Sequence, residues 1–265
     1  MQPKQKLLNL GLEYDYKMKV IIYIFVIAVM FSCNSEDAND CIQNAGNGIQ
    51  TEVMVSAFER ILVNRDVELI LKEGADYQVI IESGENLIND IEAVVVSNEL
   101  QLTDYNTCNY VREYGITKVY VTAPNIKEIR SSTQYDISSD GVLNYSNLKL
   151  FSEDSNVSGT FTVGDFKLNI NSTQLNITAN NISSFYISGQ VENAFIGFYS
   201  GIGRFEGANL IAQNIEVYHR GSNDMVVNPQ QSLRGQLLGS GDLISLNNPL
   251  VVEVEQIYTG QLIFN

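Results

Sequence analysis

The sequence predicts an all-β chain, a parallel β-helix-like solenoid preceded by an N-terminal β region. Three observations predict it. From Ile49 to the end, apolar and polar residues alternate in short runs with almost no helical period. From Pro124 onward, apolar triplets recur behind small polar corners at an interval of about 20 residues, the mark of stacked coils. Charged residues make up only 18% of the 265, against about 25% in an average soluble domain, which disfavours long helices with charged outer faces. The net charge of -15 repels nucleic acid and anionic headgroups at long range, so nucleic acid is excluded as a partner. A single His excludes any site that needs two imidazoles.

An export signal occupies residues 18–32. Lys17 and Lys19 supply the positive start, and Val20 to Phe31 is an unbroken apolar run of 12 residues. A membrane-spanning helix needs about 20, so the run fits the apolar part of a signal peptide. Ser32-Cys33 follows it and resembles a bacterial lipobox, with Met30 and Phe31 in place of the commonest residues. That resemblance implies acylation of Cys33 and cleavage before it, and so a membrane partner held through lipid. Two or three acyl chains anchor stably where one binds only marginally. A plain secretory peptide is the alternative. Residues 1–17 place Glu13 and Asp15 ahead of the positive start, which suits no signal. Translation is expected to begin at Met18, with 1–17 a mis-called start.

Residues 33–48 read as an acidic tether. Asn34-Ser35-Glu36-Asp37-Ala38-Asn39-Asp40 resembles the lipoprotein export signal of Bacteroidetes, which implies an outer-membrane lipoprotein at the cell surface. A plain solvated linker has the same composition, so the periplasm-facing leaflet stays open. Cleavage removes more bases than acids, and the mature chain should stand off an anionic membrane. With Cys33 acylated, Cys41 and Cys108 are left as an even pair in an oxidising compartment. A bridge and two free thiols are both compatible with the sequence. A bridge would close a loop of about 70 residues, worth about 4 kcal/mol at most by chain entropy.

Residues 49–123 form the N-terminal β region. Strands are expected at 52–55, 60–63, 67–72, 77–82, 93–96, 100–103 and 119–123, with turns at Gly74 and Gly84. Leu87, Ile88 and Ile91 share a helical face and predict a short helix over 86–92. Residues 124–265 form the solenoid. Its triplets include Leu148-Lys149-Leu150, Leu175-Asn176-Ile177, Phe185-Tyr186-Ile187 and Ile215-Glu216-Val217. Its corners are Ser131-Ser132-Thr133, Glu153 to Asn156, Asn171-Ser172-Thr173, Ser200 to Gly203, Arg220 to Asn223 and Gly239 to Asp242. The interval from Ser172 to Gly201 reads as one and a half coils. An open solenoid exposes its end strands to edge pairing, so the N-terminal region is expected to cap one end and 251–254 with 261–264 the other. A β-sandwich is the competing fold, disfavoured because the corners lack two-residue hairpin turns such as Asn-Gly.

A family resemblance rests on residues spread along the chain. Phe58-Glu59-Arg60-Ile61, Glu85-Asn86-Leu87-Ile88, Asn98-Glu99-Leu100-Gln101-Leu102 and Ala123-Pro124-Asn125-Ile126 occur in one order. The Ser/Gly corners and Leu238-Gly239-Ser240-Gly241-Asp242 ahead of Asn248-Pro249 complete it. From about Ser56 to the end the chain resembles the auto-transporter adhesin head GIN domain family. The resemblance implies a right-handed solenoid after an N-terminal β region, one unit over 49–265, and a role in adhesion. It supplies no catalytic motif.

The residues themselves offer little chemistry. Gly239-Ser240-Gly241-Asp242 lacks the Lys and the following helix of a phosphate loop and reads as a turn. His219-Arg220 reads as a surface pair. The Gly-Asp ladder of calcium-binding β-rolls is absent, and no metal or cofactor is expected. Polysaccharide-cleaving β-helices group basic residues around their substrate's carboxylates, yet after Arg130 only Lys149, Lys167, Arg204, Arg220 and Arg234 remain. Sugar binding favours aromatic platforms. Trp is missing, but there are 14 Tyr, among them Tyr105, Tyr110, Tyr114, Tyr135, Tyr145, Tyr186, Tyr199 and Tyr218. A stripe of them on one face would mark glycan binding. Otherwise they fill strand corners. The expected function is a non-enzymatic, lipid-anchored envelope protein presenting its lateral surface to a surface glycan or an envelope protein. A polysaccharide-active or glycan-binding β-helix protein is the alternative.

Overall fold

A period of two sends every second side chain of a strand to the same side. Here Ile61, Val63, Leu69, Leu71, Leu100, Leu102, Val119 and Val121 all turn inward and are shut off from solvent. The computed structural model describes residues 17–24, 39–106, 108–154 and 159–265. Residues 17–24 are helical, and no helix among the described residues is long and apolar enough to cross a membrane. Cys33 and most of the apolar run lie outside the described residues. The helix expected over 86–92 is a single 3-10 turn at Ile88–Asp90.

The strands stack as two ladders with one interior. The N-terminal strands are β1 (Gly48–Val53), β2 (Arg60–Val63), β3 (Glu68–Glu73), β4 (Gln78–Gly84), β5 (Ile91–Val96), β6 (Glu99–Asp104) and β7 (Lys118–Ala123). Then come β8 (Glu128–Ser131), β9 (Ile137–Leu143), β10 (Asn147–Ser152), and the long β11 (Phe166–Ala179) and β12 (Phe185–Phe198). The chain finishes with β13 (Phe205–Glu206), β14 (Leu210–His219), β15 (Met225–Val227), β16 (Pro229–Leu237), β17 (Leu243–Ser245), β18 (Val251–Gln256) and β19 (Leu262–Phe264). One ladder runs β6–β2–β8–β10, through the second halves of β11 and β12, to β14, β16 and β18. The other runs β7–β3–β9, through their first halves, to β13, β15, β17 and β19. All of these pairings are parallel. The N-terminal region therefore already contains two solenoid rungs, β2 with β3 and β6 with β7. The later-coming β6/β7 rung lies outside the β2/β3 rung. Three antiparallel strands close this end: β5 on β6, β4 on β7, and β1 on β4. The ladders run unbroken past residues 123 and 124, and one core unites the two sides.

In-register stacking builds apolar columns. Ile137, Phe166, Phe185, Phe205, Met225 and Leu243 follow one another up one ladder, each with no solvent exposure. The Phe166 and Phe185 rings stack with centroids 4.8 Å apart. Leu148, Leu175, Ala194, Ile215 and Leu233 form the matching column on the other ladder. Inside β16 one position has no room for a side chain. A Cβ on Gly235, at φ +133, would lie 1.9 Å from the Val217 carbonyl oxygen of the rung before, so only glycine fits.

Three readings need correction. Asn171-Ser172-Thr173 is not a corner equivalent to Ser200 to Gly203. It lies inside β11, where Ser172 stacks on Val191. The equivalent corner is Asn180-Asn181: the Asn180 amide bonds Ser152 O at 3.2 Å, and the Ile202 amide bonds Asn181 O at 2.9 Å. The apparent half coil disappears, and the long coil is the one from Glu153 to Asn180. Next, β18 and β19 do not cap the far end. They add one more parallel rung and have no strand on their outer side among the described residues. Finally, His219 is not a surface residue. It stacks between Phe198 and Leu237 and is fully buried, with neither ring nitrogen in a hydrogen bond.

Two outcomes follow from this packing. Phe185→Ala removes the centre of the aromatic column and should cost about 3–5 kcal/mol, read by urea unfolding. Burial pushes the His219 imidazole below its ordinary value, offset in part by the Asn223 backbone and by Asp224 and Asp242. A depressed folded value means that the native state is favoured above the unfolded histidine's value of 6.5 and loses that advantage as pH falls below it. Thermal scans at about pH 7.5 and about pH 5 should show His219→Leu losing less stability on acidification than the parent.

Candidate functional site

Among the described residues, 105–106 and 108–117 between β6 and β7 form a long connection that departs from the rung pattern without breaking the ladders. Asp104 stitches its two ends together. Its carboxylate accepts bonds from the Asn106 amide at 2.8 Å, from Asn106 Nδ2 at 2.7 Å and from Thr117 Oγ1 at 2.7 Å. Thr117 and Ser83 hydroxyls lie 3.1 Å apart behind it. Burial raises the Asp104 carboxyl above its usual range, and the bonds from Thr117 and Asn106 oppose the rise. Further on, Asn109 folds the chain tightly. Its Oδ1 accepts from the amides of Val111 and Arg112 at 3.2 and 2.9 Å, a side chain standing in for a backbone turn.

Two braces tie the loop to the segment ahead of β1. Cys41 and Cys108 are joined by a disulfide, with Cα atoms 4.4 Å apart. Arg112 spans the same gap, with Nη1 2.5 Å from Asp40 O and Nη2 2.8 Å from Cys108 O. The Tyr110 amide adds a bond of 2.9 Å to Cys41 O. The guanidinium is thus occupied with backbone carbonyls.

The braced loop presents aromatic faces outward. Tyr110 is 80% exposed and Tyr114 75%, and Val111 and Tyr105 of the same connection are exposed too. Beneath lies a cavity of about 290 Å³ lined by Asp66, Asp104, Asn106, Arg112, Tyr114 and Tyr135. Asp66 is held at φ 69, with its amide bonded to Gln134 Oε1 at 3.1 Å and its carboxylate accepting from Gln134 Nε2 at 2.5 Å. The buried Asn106 Oδ1 has no partner. Carboxylates, amides and phenol rings around one hollow suit hydroxyl-rich ligands: the polar groups take hydroxyls, and the rings take apolar faces.

Of the tyrosines singled out in the sequence, Tyr114 and Tyr135 line this hollow, and Tyr105 and Tyr110 are exposed on the same connection. Tyr199 and Tyr218 form a separate stacked pair on adjacent rungs, 4.9 Å between centroids. Tyr145 is buried, its hydroxyl donating to Ala123 O at 3.0 Å. Gly239 to Asp242 is a stacked corner, its Gly241 amide bonded to Gly221 O at 3.2 Å. Among the described residues no group of three or more His, Cys, Asp or Glu is arranged to hold a metal. Sequence reasoning missed Asp104, Asn106 and Arg112. The available signal was the stretch Tyr105 to Tyr114 itself, where Tyr, Asn and Cys crowd together and strand alternation stops.

Comparison with known proteins matches the geometry. A family profile described as "Putative auto-transporter adhesin, head GIN domain" matches residues 57–249. The chain belongs to this family. The head GIN fold seen here is similar to the crystal structure of a putative adhesin from Bacteroides fragilis NCTC 9343. That similarity has a TM-score of 0.74 at 18% identity and covers 84% of this chain and 99% of that one. It is also similar to a putative adhesin from Parabacteroides merdae ATCC 43184, with a TM-score of 0.56 at 14% identity over 83% and 98% of the two chains. A third, from Parabacteroides distasonis ATCC 8503, is titled a putative lipid binding protein, with a TM-score of 0.56 at 14% identity over 82% and 97%. At these identities the likeness establishes the shared fold. No curated protein matches the chain. The head GIN profile begins after Cys41, so the first half of the brace lies outside the matched segment.

Replacing Cys41 and Cys108 with Ser should lower stability by about 2–4 kcal/mol. The same change should free the loop, and limited proteolysis should cut the double mutant within residues 105–117 while the parent resists.

Proposed function

We propose that this head GIN protein is a non-catalytic adhesion module of the cell envelope, anchored by lipid on Cys33, that binds a glycan with its braced tyrosine loop. The observation that carries this reading is the exposure of Tyr105, Tyr110 and Tyr114 on a loop held by a disulfide and by Arg112. Large aromatic faces left in water on a rigid support suit recognition, because little entropy is lost when a ligand settles on them. Family membership supports the adhesin role. Three carboxylates, of Asp66, Asp104 and Glu113, line the hollow, and its one cation is committed to carbonyl oxygens. An uncharged or basic glycan therefore fits it better than an acidic one.

The apolar run before Cys33 supports the anchor, and the acidic tether behind it supports the surface location. In this reading the tether sets the solenoid off from the bilayer, and the strong negative charge keeps it there.

A glycan array probed with the mature chain should show saturable binding without released oligosaccharide. Tyr110→Ser with Tyr114→Ser should weaken it by about tenfold or more, with thermal unfolding unchanged. Released product would replace this reading with an enzymatic one. Cys33→Ser should move the protein from the detergent phase to the aqueous phase on Triton X-114 partition. Continued detergent partition would count against the anchor.

A further inference from the structure

The far end of the solenoid carries an inference that goes beyond the tyrosine loop. β18 pairs only with β16, and β19 only with β17. The outer edge of this rung is unpaired among the described residues, and a row of free N–H and C=O groups is a template for another strand. The inward side chains here lack the cover that every earlier rung receives: Val252 is 38% and Phe264 44% exposed.

The outward side chains indicate what would fit. One outward column alternates in sign at both ends, as Glu99, Arg60, Glu128 and Lys149 at the near end and Glu216, Arg234 and Glu253 at the far end, with the uncharged Asn176 and Phe195 between them. Arg234 Nε lies 2.9 Å from Glu253. In the neighbouring column Gln236 Nε2 lies 2.9 Å from Glu255. The last rung thus ends on two carboxylates at i and i+2, with exposed or half-buried valines at alternate positions. Continuing the alternation sets a cation over Glu253, and the exposed Glu255 carboxylate two residues on favours a second one on the same face.

We propose that the β18 edge docks an extended segment of a partner protein that reads basic–apolar–basic. Its apolar residue covers Val254 and its two Lys or Arg residues face Glu253 and Glu255. A second copy of this chain is the wrong occupant. The other open edges, β1 and β5, contain Glu52 and Glu92 and no Lys or Arg, and β18 against itself would bring carboxylate to carboxylate.

The test titrates the full mature chain into a fluorescein-labelled peptide Thr-Lys-Val-Lys-Val-Thr, followed by anisotropy. Controls are a Glu-for-Lys peptide and a Lys-Lys-Val-Val arrangement of equal charge. Saturable binding of the alternating peptide alone is expected, with slowed hydrogen exchange of the β18 amides. Glu253→Gln with Glu255→Gln should weaken it roughly three- to tenfold, as two exposed ion pairs allow. Equal binding of the rearranged peptide would overturn the proposal, since charge alone would explain it. So would binding without β18 protection, indifference to the double substitution, no binding, or self-association through β18 in sedimentation.

Discussion

In-register stacking of one rung on the next is the constraint on which the molecule depends. No rung buries its apolar side alone, since each is a thin loop of strand with solvent on its outer face. Burial is complete only when the following rung sets its own apolar residues in the same columns, as Phe166, Phe185 and Phe205 do. Register is therefore set at every level at once, because a slip by one residue would turn a whole column outward. The same demand explains Gly235, where the chain must come within contact of the carbonyl of the rung below.

This constraint leaves only a few places for variation. The lateral face repeats with the rungs, and its outward charges pair up the stack, as in Arg60 with Glu99 and Arg234 with Glu253. Freedom is left at the ends and in the connections. At the near end, β5, β4 and β1 reverse direction and finish the stack. In the β6–β7 connection, residues 105–117 leave the columns and acquire their own support from Asp104, Asn109, Arg112 and the disulfide. The solenoid thus acts as a rigid post, and the loop that escapes its periodicity gathers the exposed aromatic rings. Loops set on a rigid scaffold are where binding residues concentrate.

Much of the fold was legible in the residues. Alternation placed most strands, and the recurrence near 20 residues identified coils, because burial on one side imposes both patterns. Two things misled. Asn171-Ser172-Thr173 has the composition of a corner, yet the neighbouring rungs hold it inside β11. Ser97 and Asn98, at φ 50 and 66, make the two-residue hairpin between β5 and β6, a turn whose pair is not Asn-Gly and so passed unseen. His219 was misplaced for a related reason. A polar residue beside an Arg reads as surface, but its register partners Phe198 and Leu237 put it in the core.

Chain chemistry alone specified an all-β coil of strongly acidic composition, because these depend on residue content and on local period. The order of the rungs was decided only in three dimensions. β6 and β7 lie outside β2 and β3, an arrangement that depends on which edges were left to pair and leaves no local mark. The hollow beside the β6–β7 connection was decided there too. Asp66, Asp104, Asn106, Arg112 and Tyr135 share one cavity only because a strand reversal, a disulfide and a long connection bring distant parts of the chain to the same corner.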